Sequence, residues 1–222
     1  MSIFSKSINR IKNFGKRKSF SLNELDIKLD QYINLSNGFF IEAGANNGID
    51  QSNTLYFEKY RNWRGLLIEP VPELAAKCKA NRPRCIVENA ALVPFDYPDS
   101  HIEMRYCNLM SQVKGAMKNE DKELQHIEQG CEIQKIKTYD IQVPARTLSS
   151  ILEEHHIKSI DLLSLDVEGF ELSVFKGLDL DKHKPRFILV EARYREEIDN
   201  HLQHDYYALA ELSHHDVLYR CR

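Results

Sequence analysis

A basic surplus, a long apolar run and a paired-cysteine pattern are all missing from this chain. Its 222 residues carry 30 Lys and Arg against 33 Asp and Glu, a formal charge of −3. Nucleic-acid binding usually shows as a basic excess or a basic face, so no nucleic-acid partner is expected. No apolar stretch approaches the ~20 residues that span a bilayer, and the N-terminus lacks the continuous apolar core of a signal peptide. The five cysteines, Cys78, Cys85, Cys107, Cys131 and Cys221, are odd in number, scattered, and form no C-x-x-C pair. Neither a disulfide framework nor a structural zinc site is indicated, and a reducing, cytoplasmic setting is the expectation. Glycine is also sparse, at nine residues, and nowhere forms G-x-G-x-x-G. That disfavours a nicotinamide-dependent enzyme.

Charge is uneven only at the start. Residues 1–20 hold six Lys or Arg and no acid, with Ile3, Phe4, Ile8, Ile11 and Phe14 at roughly helical spacing. Such an arm suits peripheral contact with an anionic membrane surface or a partner, and equally a helix docked on the domain behind it.

Residues 21–222 read as one domain of ordinary core content. The spacing predicts a helix over about 22–34, with Ser21 as N-cap and Glu24 as its capping-box partner. Apolar runs then alternate with helical patterns: "GFFIEAG", "RGLLIEP" and "CIVENAAL" as strands, "DQSNTLYFEKY" and "PELAAKCKANR" as helices between them. Further on come the helix "TLSSILEEHHI", a buried strand ending at Asp166, a helix from about Phe170 to Lys176, and the strand "RFILVEAR". The tail around "SHHD" reads as a closing antiparallel hairpin. This alternation predicts a doubly wound, mostly parallel α/β sheet, and continuous apolar strands fit burial on both faces. Residues 94–144 are polar and weakly periodic, an insertion over the sheet edge that serves either as a substrate lid or as a plain connector.

In such a sheet ligands bind at the carboxyl ends of the strands. Here those ends carry Glu42, Glu69, Glu88 with Asn89, Asp166 with Glu168, and Glu191. The turn "EAGANNG" places Gly44 and Gly48 as G-x-x-x-G, with Glu42 directly before it. A carboxylate there repels phosphate and suits a cation such as an amino acid's ammonium group. Glu69, 21 residues after Gly48, stands where an acid accepts both hydroxyls of a ribose. Ribose, adenine and a cationic amino-acid tail without phosphate describe S-adenosylmethionine.

Asp166 and Glu168 lie two apart in "LSLDVEGFE", so on an extended chain they share a face, with Glu191 on the neighbouring strand. The cluster could act through a divalent cation such as Mg²⁺ held by Asp166 and Glu191, through Asp166 or Glu168 as general base, or by orienting the cofactor's amino group. His155 and His156 read as a solvated helix face and His214 and His215 as a turn. Trp63 reads as packing, while Ser111 in "NLMSQV" is a candidate for the pocket border.

Together, "IEAGANNGIDQSNTLYFE", "WRGLLIEPVPE", "NRPRCIVENAAL", "TLSSIL" and "IDLLSLDVEGFELSVFKGLD" resemble the FkbM-type methyltransferases from about Gly38 to Arg220. The resemblance implies a class I S-adenosylmethionine-dependent fold with a seven-stranded sheet and an antiparallel closing strand. It implies O-methylation of a sugar, glycan, glycolipid or natural-product hydroxyl. On this sequence it implies Glu42, Gly44, Asn46 and Gly48 beside the methionine part, Glu69 at the ribose, and Asn89 with Ala90 at the adenine. Asp166 and Glu168 of "DVEG" would face the reacting centre. A non-catalytic relative that retains the fold for protein or membrane association is the competing expectation.

Overall fold

A computed structural model describes residues 17–108, 111–113 and 138–222, together with positions 125, 128, 129 and 132. Most of the basic arm and the polar middle of the insertion lie outside the described residues.

Seven strands form the main sheet: β1 (Phe39–Ala43), β2 (Arg64–Ile68), β3 (Ile86–Glu88), β8 (Leu162–Leu165), β9 (Phe187–Glu191), β10 (Tyr206–Glu211) and β11 (Asp216–Cys221). Their order is β10-β11-β9-β8-β1-β2-β3. β1, β2, β3, β8 and β9 pair in parallel, and β11 runs antiparallel to both β9 and β10. The seven-stranded class I architecture with its antiparallel closing strand is therefore present. The order reverses at β1, which sits between β8 and β2, and this switch point opens a crevice at the strands' carboxyl ends.

Because side chains alternate across a strand, each inner strand supplies both faces. Ile41, Leu66, Leu163 and Ile188 point to a core closed by α4 (Leu148–Glu154), α5 (Glu171–Phe175) and α6 (Arg195–Leu202). Phe40, Leu67, Leu162 and Leu189 point to the opposite core, closed by α1 (Leu25–Ile33), α2 (Leu55–Arg61), α3 (Pro72–Asn81) and the fully buried Trp63. Trp63 is a packing residue: its ring lies 4.9 Å from that of Phe57, and its indole N–H donates to the Leu35 carbonyl at 2.8 Å.

Three local expectations change. The Ser21–Glu24 capping box does not form, because Asn23 and Glu24 take left-handed conformations with φ of 53° and 55°. Residues Leu22–Glu24 make a 3₁₀ turn, and the Ser21 hydroxyl accepts instead from the Asp26 N–H at 2.8 Å. The second helix begins at Leu55 rather than Asp50, since Ser52, Asn53 and Thr54 turn back to donate to Glu42. The third strand splits: after β3 the chain crosses at Asn89 and Ala90 and enters a second sheet as β4 (Ala91–Leu92). That sheet, ordered β4-β7-β5-β6, includes β5 (His101–Tyr106), β6 (Gln112–Val113) and β7 (Tyr139–Arg146). Part of the insertion is thus a sheet with its own apolar cluster of Ala91, Val93, Ile102, Met104, Val113 and Val143.

The loop between β1 and α2 is held from below by Arg82, which is 1% exposed. Its guanidinium donates to Glu58, to the Gly48 carbonyl at 2.9 Å and to the Ser52 and Thr54 hydroxyls at 3.3 and 3.2 Å, with Glu42 3.9 Å away. Removing one member of a buried ion group strands the other charges without partners. Replacement of Arg82 by Met should therefore cost about 3–5 kcal/mol in urea unfolding. A loss under about 1 kcal/mol would show that the loop stands without it.

Candidate functional site

The crevice at the switch point is a cleft of about 920 Å³, counting its open mouth. Its floor is the carboxyl ends of β1, β2 and β8, and its far wall comes from the second sheet through Met104, Asn108, Ser111 and Val113. Of the residues singled out in the sequence, Glu42, Gly44, Asn46, Glu69, Ala90, Asp166, Glu168 and Ser111 line it. Gly48, Asn89 and Glu191 are not among its lining residues.

Gly44 has φ +84°, and a Cβ built there would sit 1.9 Å from the Asp166 carbonyl oxygen. Only glycine lets the end of β1 close against the end of β8 at this point. Gly48, also left-handed at φ +79°, is instead packed on Cys78 and the Arg82 stem. The turn's N–H groups are used internally. Gly44 and Ala45 both donate to the Ile68 carbonyl at 3.1 Å, Asn46 to Glu69 at 2.8 Å, Asn47 to the Asn46 side chain at 2.7 Å, and Gly48 to the Ala45 carbonyl at 2.8 Å. A phosphate nest needs such groups free and convergent, so this turn is not built as one.

Glu42 serves the loop. Its carboxylate accepts from Asn53 N–H at 2.7 Å, Ser52 hydroxyl at 2.9 Å and Thr54 hydroxyl at 2.6 Å. Glu69, 5% exposed, joins the turn to β2 by accepting from Asn46 N–H at 2.8 Å on one oxygen and Val71 N–H at 2.9 Å on the other. A carboxylate oxygen has two acceptor sites, so each oxygen of Glu69 has room for one further donor. Burial is the main cause that lifts its pKa to about 7, against the pull of the two N–H bonds. Asn89 acts behind Glu69, donating its amide to the Glu69 and Pro70 carbonyls at 2.9 and 2.7 Å. Glu88 is turned to Arg146 and His155.

Beyond β8 the chain does not stay extended. Glu168 and Gly169 are left-handed, with φ of 56° and 98°, and the "DVEG" segment is a tight turn. The buried Glu171 carboxylate braces it by accepting from Gly169 N–H at 2.9 Å and Val167 N–H at 3.4 Å. Arg193, after β9, donates to Glu168 and, at 3.1 Å, to Glu191. Asp166 is exposed to water in the open cleft but crowded by protein, and its pKa is pushed well up, first by that desolvation and then by the charges of Glu191, Glu168, Glu171 and Asp216. The expected metal pair does not fit: Glu191 is engaged by Arg193 and stands outside the lining. Among the described residues no group of three or more His, Cys, Asp or Glu is placed to hold a metal ion.

Arg82, Arg193 and Glu171 were missed by sequence reasoning: Arg82 and Arg193 reach partners far along the chain, at Glu58 and Glu168, and the brace from Glu171 to Val167 and Gly169 depends on a turn where an extended chain was expected. His214 and His215 sit exposed at the tip of the β10–β11 hairpin, beside β9, where Ala192 N–H donates to the His215 carbonyl at 2.8 Å.

Residues 42–219 match the family model described as the methyltransferase FkbM domain. A protein named Methyltransferase 1 from Beauveria bassiana (strain ARSEF 2860) is 30% identical over 153 residues. That match takes in 65% of this chain and 59% of the relative, so the chain spans less than two thirds of the relative's length. Among crystal structures, a TehB-like SAM-dependent methyltransferase from Corynebacterium glutamicum ATCC 13032 Kitasato aligns with 9% identity and a TM-score of 0.44, over 99% of this chain and 96% of that one. A methyltransferase from Geobacter sulfurreducens aligns with 11% identity and a TM-score of 0.48, over 98% and 86%. Both scores fall below 0.5, so neither bears on the site.

Glu69 gives a pH test. Hydroxyl donors favour its ionised form, while burial holds its pKa near 7 in the free protein. Affinity for S-adenosylhomocysteine should therefore weaken as pH falls through 7, approaching tenfold per unit below it, and level off above. Glu69→Gln should flatten the profile. A flat profile in the unaltered protein, measured by calorimetry from about pH 5.5 to 8.5, would contradict this placement.

Proposed function

The chain belongs to the FkbM methyltransferase family, and from that premise we propose that it transfers a methyl group to a hydroxyl oxygen of a small-molecule, glycan or natural-product acceptor. The observation that carries the reading is the placement of Glu69 and Asp166 on one cleft at the switch point, with an acceptor pair on the first and an exposed carboxylate on the second.

The residues fit S-adenosylmethionine. Glu69 has an acceptor site on each oxygen for the two ribose hydroxyls, Ala90 to Leu92 supply apolar lining for the adenine, and the turn at Gly44 to Asn46 borders the amino-acid part. Gly48 and Asn89 work one layer back, shaping the turn and the strand end, while Glu42 lines the cleft with its carboxylate engaged by residues 52–54. When bound, S-adenosylmethionine supplies an activated methyl and leaves as a neutral thioether, the C–S electron pair returning to sulfur.

The chain's own task is alignment and removal of one proton. Asp166 takes the acceptor's hydroxyl proton on its carboxylate as the new O–C bond forms, and its raised pKa brings it closer to the working pH of a general base. Glu168 is the weaker candidate, because Arg193 already holds its carboxylate. No step runs through a divalent cation. The basic arm supports peripheral contact with an anionic membrane through Lys6, Arg10, Lys12 and Lys16, while Arg17 is held by Asp30 and Tyr56 of the domain.

Calorimetry with S-adenosylhomocysteine tests the cofactor assignment: micromolar binding is expected, weakened at least tenfold in Glu69→Ala, and no binding would overturn it. Asp166→Asn should lower label transfer from S-adenosylmethionine to an acceptor by about 10²–10⁴-fold while leaving S-adenosylhomocysteine affinity within a few-fold. Undiminished transfer would move the base elsewhere.

A further inference from the structure

The two sides of the cleft differ in chemistry. Glu42, Asp50, Glu69, Asp166 and Glu168 line it, and no Lys, Arg or His stands among its described lining residues. Two arginines stand behind these acids and pair with two of them, Arg82 lying 3.9 Å from Glu42 and Arg193 donating to Glu168, without joining the lining themselves. Arg82 is held by Glu58, Gly48, Ser52 and Thr54, and Arg193 by Glu168 and Glu191. Neither guanidinium reaches the cleft surface.

The other side carries an apolar pair beside the polar Asn108 and Ser111. Met104 of β5 and Val113 of β6 line the cleft together with Leu92, Val167 and Phe170. Met104 and Val113 are 4% and 7% exposed and belong to the second sheet's own cluster, against which Phe170 packs. That wall is therefore in place before any ligand arrives, and an apolar surface laid on it is removed from water without rearrangement.

We propose, on the basis of the methyl-transfer reading, that the acceptor is an uncharged hydroxyl compound with an apolar flank. The flank lies against Met104, Val113 and Phe170, and the hydroxyl is presented to Asp166. Alcohols that carry a phosphate or carboxylate next to the reacting hydroxyl are disfavoured, because their charge meets Asp50, Glu69 and Asp166 with no cation among the described lining residues. The second sheet thus selects for apolar surface, and the acids of the main sheet select against anions.

The test uses the full chain saturated with S-adenosylhomocysteine and two probes that share one alkyl chain, octyl glucoside and octyl phosphate, each kept below its micelle-forming concentration. Calorimetry should show octyl glucoside binding at least tenfold more tightly than octyl phosphate. Val113→Ser should weaken octyl glucoside several-fold. Gln51 is exposed at the mouth of the cleft, so Gln51→Lys adds a cation without disturbing the core, and it should strengthen octyl phosphate at least fivefold while leaving octyl glucoside unchanged. Equal or tighter binding of octyl phosphate, absence of binding by both probes, or indifference of octyl phosphate to Gln51→Lys would each overturn the proposal. Saturation with S-adenosylhomocysteine is measured first: its failure removes the methyl-transfer reading, whereas normal saturation with the phosphate preferred removes only the acceptor inference.

Discussion

One buried guanidinium ties the front of this fold together. Arg82 follows α3 directly, yet its donors reach the end of the glycine turn at Gly48, the loop at Ser52 and Thr54, and Glu58 on α2. Glu42 on β1 receives the same loop from the other side. Between them, two acids and one arginine fix a segment that has no regular hydrogen bonding of its own. That segment forms the front rim of the cleft, where Asp50, Gln51 and Ser52 line it. Buried charges of this kind seldom add much net stability, but their geometry is specific, because any other arrangement leaves a charge unpaired away from water.

The same logic governs the chemistry of the floor. The glycine turn uses its own N–H groups on Ile68, Glu69 and Asn46, so it offers nothing to a phosphate. What it offers is a positioned carboxylate: Glu69 is locked by two N–H donors and retains acceptor capacity toward the cleft. Across the floor, Arg193 engages Glu168 and Glu191 while Asp166 keeps its raised pKa. Three neighbouring acids thereby acquire different work. Two form a clamp that shapes the turn after β8, and the third faces the cleft as the group able to accept a proton.

Much of this was legible in the sequence. Continuous apolar runs such as "FFI" and "LLI" mark strands buried on both faces, and their alternation with helices gives the parallel sheet and hence the edge where ligands bind. The placement of Glu69 at a strand end followed from the same reasoning. Three features were not legible. The capping box at Ser21 is overridden because the buried Asp26 carboxylate draws Ser19 and Phe20 back onto it at 2.6 and 2.7 Å. The division of "CIVENAAL" between two sheets depends on β7, which arrives some fifty residues later to pair with Ala91 and Leu92. The clustered acids at 166, 168 and 191 suggested a metal ion because the reach of Arg193 from its neighbour Glu191 across to Glu168 is set by tertiary structure.

The central claim is that Glu69 reads the ribose of a nucleoside cofactor. A double-mutant cycle isolates that contact. S-adenosylhomocysteine and its analogue lacking both ribose hydroxyls would be titrated against the unaltered protein and Glu69→Ala. Loss of the hydroxyls should weaken binding at least tenfold in the unaltered protein and by less than about twofold in the variant. An equal loss in both proteins would place the ribose away from Glu69 and contradict the account.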